Sequence, residues 1–313
     1  MDQPDYTPAR WLDTPSGARL ALHEWPAMGP CRAILQINHG LAEHGGRYGR
    51  FARFMAERGV HVVAPDHRGH GQTTAQDGGP ARFADEGGWD KLIDDVRALN
   101  TDLRTRHRDV PLILFGHSMG GLITLNAIQR HPDLMDGAAI WNSNPFLGAN
   151  APLMKAILFL ESLFVGRNGP SHIIRALTFK AWNNRFPDKR NDSDWLSRDH
   201  AETDAFQDDP LCGFAASVSL WRDFIRGAQE AVRPASLSDL RRDLPIDLVG
   251  GTEDPATFGG KATRQMHRHL EKHGFTHVSC RVLEGFRHET LNELGRENEM
   301  NRFAEWFERA IQR

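Results

Sequence analysis

Short apolar runs alternate with amphipathic segments along most of the chain. Near the start, Trp11-Leu12 and Leu20-Ala21-Leu22 flank a Pro15-Ser16-Gly17 turn, which predicts a β-hairpin over residues 10–25. Further along the chain, apolar runs bounded by polar or turn residues predict buried strands. These predicted strands cover residues 33–37, 60–64, 111–115, 137–141, 246–249 and 278–283.

Helical spacing of apolar residues fills several of the gaps between these strands. It predicts one helix over about residues 87–107, a second that begins at Met119, and a third over residues 293–311. Strands that alternate with helices in this way indicate parallel strands joined by crossover helices. Together with the hairpin, the pattern predicts an α/β fold with a mostly parallel, eight-stranded sheet flanked by helices.

The alternation stops between about residues 146 and 235. This stretch is rich in aromatic and apolar residues, and its pattern predicts helical or irregular structure without a strand. Because strand and helix alternate again from Pro245 onward, we interpret residues 146–235 as a mainly helical cap inserted into one core. Residues 1–145 and 236–313 are then the first and second parts of that core.

Composition narrows the class of protein. The chain has 313 residues, 25% of them charged, and a net charge of −3 without a basic block, so we expect no nucleic-acid partner. Cys31, Cys212 and Cys280 are too few and too far apart for a disulfide framework or a metal site. The start of the chain lacks an apolar signal core, and no run reaches the roughly 20 apolar residues of a membrane span. These features predict a cytoplasmic protein, with room for peripheral contact with a membrane.

The segment Gly116-His117-Ser118-Met119-Gly120 lies where a predicted buried strand meets a predicted helix. A Gly-x-Ser-x-Gly sequence in that context is typical of a sharp turn that exposes a nucleophilic serine. Glycine is needed at 116 and 120 because larger side chains would collide with neighbouring backbone. The start of the following helix favours the negative charge that develops on the substrate oxygen. We interpret Ser118 as a nucleophile, in preference to a chance match within a glycine-containing loop.

A nucleophilic serine needs a base, and the base needs an orienting acid. Of the sixteen histidines, His288 alone follows the last predicted strand and precedes the last helix. Asp254 follows the preceding strand, which gives the chain order serine, acid, histidine. The neighbouring Glu253 is interpreted as a solvated loop carboxylate, and the loop at Asn142-Ser143-Asn144 offers no carboxylate.

The loop after the strand at residues 33–37 completes the predicted site. It begins Asn38-His39-Gly40-Leu41, and Gly40 lets the backbone pass close to the nucleophile. The backbone N–H groups of Leu41 and Met119 are therefore the predicted donors of an oxyanion hole.

These segments resemble the monoacylglycerol lipase and lysophospholipase group of α/β-hydrolases, within the serine aminopeptidase-type family. The motifs that carry the resemblance are 39–44, 66–71, 116–120, 254–255 and 285–289, with the cap sequences at 195–199 and 208–211. The resemblance implies a triad of Ser118, Asp254 and His288, the two amide donors just named, and no cofactor. One departure is Gln72, which precedes Thr73 where the group often has Ser or Thr directly after Gly71; we expect a local structural adjustment there.

Histidines 267, 269 and 273 offer an alternative site, because the last two have the i, i+4 spacing of a helical metal pair. The flanking charges and the position of Glu271 favour a solvated helix face over a metal site. Asp66 and Arg68, which follow a predicted strand, are interpreted as turn residues that bond neighbouring loops.

The aromatic cap predicts an apolar lid over Ser118, and with it a carboxylic-ester substrate with an acyl chain and transient contact between the cap and a lipid surface. Two alternatives stay open. One is a proline iminopeptidase-like aminopeptidase, in which cap carboxylates would hold a free amine; the candidates are Glu202, Asp204, Asp208 and Asp209. The other is a non-catalytic ligand-binding protein on the same fold. The acyl-chain length, head group and oligomeric state are not set by the sequence.

Overall fold

The computed structural model describes residues 7–148 and 150–312. Within these residues, nine strands form one sheet. They are β1 (Arg10–Asp13), β2 (Ala18–Trp25), β3 (Ala33–Asn38), β4 (Val60–Pro65), β5 (Thr74–Ala75), β6 (Leu112–His117), β7 (Gly137–Trp141), β8 (Ile246–Gly251) and β9 (Val278–Leu283).

Ten α-helical segments accompany the sheet in the described residues. They are α1 (Gly49–Ala56), α2 (Gly88–Arg106), α3 (Met119–Arg130), α4 (Asn150–Val165), α5 (His172–Arg175), α6 (Ala181–Asn183), α7 (His200–Asp208), α8 (Val218–Ala231), α9 (Lys261–Lys272) and α10 (Arg296–Ile311). A π-helical turn, Ala176–Lys180, joins α5 to α6. Short 3-10 turns lie at Gly45–Tyr48, Pro132–Leu134, Pro234–Leu237 and Thr290–Asn292.

The sheet follows the order β1-β2-β4-β3-β6-β7-β8-β9. Pairing is antiparallel where β2 meets β1, β4 and β5, and parallel from β4 through β9. The predicted fold class is therefore confirmed, but the strand count of eight was short by one. The additional strand, β5, has only two residues that pair with Ala18 and Arg19 of β2, and so short a strand leaves no apolar pattern in the sequence.

The sheet is covered on both faces. On one face, α1 and α10 bury Phe51 and Phe303 against Phe115 and Trp141 of the central strands. On the other face, α2, α3, α8 and α9 contribute a continuous apolar cluster. Because the central strands are buried on both sides, their sequences are mostly apolar rather than alternating, which is why the sequence pattern located them.

Parallel pairing places several loops at one edge of the sheet. Asn38 at the end of β3 lies beside Gly116 near the end of β6, and Val249 of β8 lies beside Trp141 at the end of β7. The loops that follow these strands therefore meet at the carboxyl edge, where ligands of open parallel sheets bind.

Between β7 and β8, the described residues form helices and turns, with one isolated bridge between Pro170 and Ser217. The last helix of this stretch, α8, packs on the core: Asn126 of α3 donates to the carbonyl of Gly227 at 3.1 Å, and Gly227 lies against the indole of Trp89 in α2. The division of the chain at residues 146 and 235 stays a prediction; α8, which lies within that stretch, packs on α2 and α3 and also on α4.

Two local expectations change in detail. The last helix begins at Arg296 rather than at residue 293, because Gly295 takes a left-handed conformation with φ of 87° and residues 290–292 form a separate turn. Asp66 and Arg68 both bond neighbouring loops: Asp66 accepts from the N–H groups of Gly45 and Gln72, and Arg68 donates to the carbonyl oxygen of Ser16 and, in addition, to the Asp95 carboxylate of α2. The backbone N–H of Gln72 donates to the Asp66 carboxylate, so the turn accommodates Gln72 at this position.

Candidate active site

Ser118 lies on the turn between β6 and α3, with φ of 54° and ψ of −115°. A positive φ is strained for a residue with a side chain and recurs at functional turns. The flanking glycines make the turn possible. A Cβ at Gly116 would lie 2.2 Å from the carbonyl oxygen of Gly120, and one at Gly120 would lie 1.9 Å from that of Asn38.

Gly120→Ala is expected to lower the free energy of unfolding by about 3 kcal/mol or more, because the added methyl group meets rigid backbone on β3. Urea denaturation followed by circular dichroism measures the effect. Gly79→Ala is the matched control, since a Cβ there meets only the end of the Arg82 side chain at 3.6 Å. Equal stability of the two variants would contradict this account of the turn.

Asp254 and His288 come together behind the turn. Nδ1 of His288 lies 2.9 Å from Oδ1 of Asp254, and both side chains are buried. Burial alone would raise the pKa of Asp254, but the attraction of the His288 ring and hydrogen bonds from His288, Asn142 and Thr257 outweigh it and lower that pKa. Asp254 therefore stays ionised and holds Nδ1 of His288 as a donor.

Asn142 is a site residue that the sequence pattern missed. It follows β7 with φ of 51°, and its amide donates to Oδ2 of Asp254 at 3.1 Å and accepts from the hydroxyl of Thr290 at 2.7 Å. Asn142 thus connects the loops that carry Asp254 and His288. In the sequence, Asn142 stands out only because it directly follows a central strand. Its relevance becomes clear once β7 is known to lie beside β8, the strand that precedes Asp254.

The loop after β3 runs against the turn at Ser118. A Cβ added at Gly40 would lie 2.7 Å from Oε1 of Glu43 and 3.2 Å from Nδ1 of His117, which explains glycine at this position, and 3.4 Å from Cβ of Ser118. Leu41 lines the same cavities as Ser118, and Met119 is the first residue of α3, whose N–H has no acceptor within the helix. The predicted oxyanion donors therefore lie on the two segments that flank Ser118.

Two adjoining cavities reach Ser118. The first, of about 330 Å³, is mainly apolar and is lined by side chains from α3, from the loop after β7 and from the segments α4 to α8, among them Leu122, Phe146, Met154, Ile157, Trp221 and Phe224. The second, of about 60 Å³, is more polar and contains Ser118 and His288 together with Arg175, Asp192, Ser193 and Gln207. A larger open cleft between β2 and α1, of about 940 Å³, contains none of the predicted site residues.

Trp195 covers the His288 ring from the segment between α6 and α7. The two ring centroids lie 4.8 Å apart, with planes inclined by 32°. Phe179 and Trp182 pack on the other sides of Trp195. These aromatic side chains shield His288 from bulk water, and the indole face is placed to stabilise a positively charged imidazole.

The family follows from comparison over most of the chain. Residues 29–295 match the family described as serine aminopeptidase, S33. The chain belongs to this family. Its members are serine hydrolases with the α/β-hydrolase fold, and the earlier resemblance is thereby confirmed.

Individual relatives agree with this placement. The chain is 27% identical to the monoglyceride lipase of Mus musculus over 242 residues, which cover 76% of this chain and 70% of that protein. It is 28% identical to phospholipase YtpA of Bacillus subtilis over 88% of this chain and 94% of that one. Among solved structures, a thermostable carboxyl esterase from Bacillus coagulans superposes with a TM-score of 0.85 at 23% identity, covering 96% of this chain and 97% of that one, which supports the fold.

Two groups of described residues bring possible metal ligands within 4.8 Å of one another. One is His23, His44 and Asp66, and the other is His44, Asp209 and Cys212. In each group a histidine already bonds a carboxylate, at 3.0 Å for His23 with Asp66 and 2.9 Å for His44 with Asp209. These pairs account for the clusters without an ion.

The α9 histidines form a local structure of their own. Nδ1 of His273 lies 2.8 Å from the carbonyl oxygen of His269, and His267 pairs with Glu271. The ring of His269 packs against those of His273 and Phe146, with centroids 4.5 and 6.1 Å apart, and all three histidines are half-buried, so this face is less solvated than expected.

No helix in the described part of the chain combines the length and apolarity needed to cross a bilayer.

Proposed function

We propose that this protein hydrolyses carboxylic esters that carry a single long acyl chain, of the monoacylglycerol or lysophospholipid type. The observation that carries the proposal is the apolar cavity of about 330 Å³ that ends at Ser118, next to a smaller polar cavity that holds His288. An acyl chain fits the first and a polar head group the second. The similarity to a monoglyceride lipase and a phospholipase supports the same substrate class.

In the proposed reaction, Nε2 of His288 takes the proton from the Ser118 hydroxyl as its oxygen attacks the ester carbonyl. The N–H groups of Leu41 and Met119 stabilise the tetrahedral oxyanion. The bond to the alcohol then breaks, and His288 returns its proton to that alcohol. Water activated by His288 next attacks the acyl-serine and releases the acid, while Asp254 stabilises the imidazolium formed in each half.

Aminopeptidase activity, the alternative, requires a carboxylate that faces the substrate amine. The cap carboxylates considered for this role mostly bond other side chains: Glu202 bonds Arg50, Asp204 bonds Arg190, and Asp209 bonds His44. None of the four is part of the lining of the two cavities at Ser118, among the residues that the structure describes. The apolar lining of the larger cavity favours the ester substrate, and the peptidase alternative would instead rest on Asp192, the cap carboxylate that lines the smaller cavity with Ser118.

The test is a labelling and turnover experiment on the whole protein. A fluorophosphonate probe is expected to modify Ser118, located by peptide mass spectrometry. A panel of long-chain monoacylglycerol, lysophosphatidylcholine and aminoacyl amides is expected to give turnover of one or both lipids. Turnover of the aminoacyl amides alone would establish the peptidase instead. Absence of both label and turnover would favour a non-catalytic binding protein.

The proposal extends to the lipid surface from which such substrates come. Helix α4, helix α5 and the π-helical turn that follows α5 carry exposed apolar side chains, which include Leu153, Phe159, Leu160, Leu163, Phe164, Ile173 and Leu177. Leu153 and Leu177 also line the apolar cavity, so the exposed face is continuous with its mouth. A lipid surface bound to this face would meet the entrance through which an acyl chain passes.

Phe164→Glu is expected to weaken binding to phosphatidylcholine vesicles about tenfold or more, because the exposed phenyl ring loses the free energy of insertion and a charge replaces it. Vesicle sedimentation measures the bound fraction. Met28→Glu is the control, since Met28 is also well exposed but precedes β3 outside the cap. Equal losses in the two variants would show that the cap face does not dock.

A further inference from the structure

Four ionisable side chains are packed together beside Ser118 without a role in the reaction described so far. They are Glu43, Arg47, His117 and Glu289, each less than a tenth exposed. Arg47 donates to Oε2 of Glu43 at 2.7 Å and, through two nitrogens, to both oxygens of Glu289 at 2.6 and 2.8 Å. Such a buried cluster is retained only when its charges and hydrogen bonds are matched.

The two ring nitrogens of His117 both face acceptors. Nδ1 lies 3.2 Å from Oε1 of Glu43, and Nε2 lies 3.0 Å from the backbone carbonyl oxygen of His288. A carbonyl oxygen only accepts, and a neutral imidazole has only one N–H to donate. Both contacts are satisfied together when His117 carries a proton on each nitrogen.

The charge count leads to the same protonation state. Two carboxylates and one guanidinium leave a buried net charge of −1, which an imidazolium at His117 cancels. Burial alone would lower the pKa of His117, but its hydrogen bond to Glu43 and the negative charges of Glu43 and Glu289 outweigh that effect and raise it. The pKa of Glu43 lies well below its usual value: burial opposes this, but His117 and Arg47 overcome the opposition.

We propose that His117 is a positioning residue, held as an imidazolium that ties together the three chain segments of the active site. It is part of the turn at Ser118, it holds the loop after β9 through the carbonyl of His288, and it holds the loop after β3 through Glu43. Glu43 in turn accepts the N–H of Gly40 at 2.6 Å, next to the predicted oxyanion donor Leu41. The catalytic consequence rests on the proposed role of His288; the protonation state does not.

Loss of the second ring proton of His117 would break one of its two hydrogen bonds, either to Glu43 or to the carbonyl of His288. The charged and titratable groups around the ring are Glu43, Arg47 and Tyr48 from the loop after β3, and His288 and Glu289 from the loop after β9. Because the pKa of His117 is raised, the imidazolium is complete at low pH and is lost as pH rises through that raised pKa. The arrangement of the three segments should therefore loosen on the alkaline side.

The protonation state is measured directly by NMR of protein labelled with ¹⁵N in the histidine rings. Long-range ¹H–¹⁵N spectra distinguish an imidazolium from each neutral tautomer. In the wild-type protein at pH 7 we expect an imidazolium signal that disappears in His117→Asn and becomes that of a neutral ring in Glu43→Gln. His267→Asn, on the surface of α9, is the control and should leave that ring unchanged. A His117 ring that is neutral at pH 7 would overturn the proposal.

Kinetics test the positioning role. His117→Gln donates to only one of the two acceptors, and a shift of about 1 Å between reacting groups costs about 100-fold in rate. We expect kcat for a short p-nitrophenyl ester to fall about 100-fold with KM little changed, and the alkaline decline of kcat in the wild type to be absent in the variant. A folded His117→Gln with wild-type kcat and the same alkaline decline would contradict the role.

Failure of this proposal is distinguishable from failure of the proposed function. If Ser118 is not the nucleophile, the fluorophosphonate label is missing while the NMR result for His117 is unaffected. If His117 is neutral, the label and ester turnover remain.

Discussion

Ser118→Ala is expected to lower kcat for p-nitrophenyl esters by about a million-fold, the loss that follows removal of the nucleophile from a serine triad. Alanine keeps the Cβ and adds no atom to the strained turn, where φ is 54°. The fold should therefore be retained while covalent catalysis is lost. Steady-state kinetics, circular dichroism and fluorophosphonate labelling measure the three quantities on one preparation.

A second serine provides the control. Ser143 is buried on the opposite side of the turn, next to Gly121 of α3, and its hydroxyl bonds no acceptor or donor in the described residues. Ser143→Ala should keep both activity and label. Substantial ester turnover by a folded Ser118→Ala would refute the assignment of the nucleophile.

Asp254→Asn is expected to lower kcat by about ten-thousand-fold, as loss of the orienting carboxylate does in a serine triad. The carboxylate accepts from four donors: Nδ1 of His288 and the N–H of Ala256 on one oxygen, and Asn142 and Thr257 on the other. An amide offers only one oxygen. If its nitrogen faces His288, the ring proton moves to Nε2, the atom that must take the proton from Ser118.

Glu253→Gln is the matched control for this variant. Its carboxylate neighbours Asp254 in sequence but is half exposed and lies 3.9 Å from Arg287, away from His288. We expect nearly full activity in Glu253→Gln across the pH range. A large loss there, with activity kept in Asp254→Asn, would mean that the acid was assigned to the wrong residue.

The parts of the candidate site that depend on local structure could be predicted from the sequence. A Gly-x-Ser-x-Gly turn needs a strand before it and a helix after it, and both leave strong apolar patterns, so Ser118 is accessible to sequence reasoning. Asp254 and His288 follow from chain order, because parallel strands bring their carboxyl ends to one edge of the sheet. The structure brings these two side chains into hydrogen-bond contact, as expected.

The parts that escaped prediction depend on contacts between distant segments. Asn142 and Asp254 are 112 positions apart, and His117 and His288 are 171 apart. Trp195 lies in a stretch with many aromatic residues, and the sequence does not indicate which of them contacts His288. The structure shows that Trp195 packs on its ring. The periodicity of apolar residues does not reveal such pairs, because each pair depends on the conformation of loops that are far apart in the sequence.

The pairing of β7 with β8 has a consequence for how proteins of this kind diversify. The long stretch between Asn142 and Pro245 leaves the sheet at one strand and returns at its immediate neighbour, with Ala138 beside Ile246. Because β7 and β8 are parallel, this stretch leaves at the carboxyl edge of the sheet and must return to the amino edge, and α8 is the helix that precedes this return. Lengthening the part of the connection before α8 costs little closure entropy. We therefore propose that the segment up to α8 is an exchangeable module, in which a different cap would admit another acyl chain or head group while the loops of the candidate site stay in place.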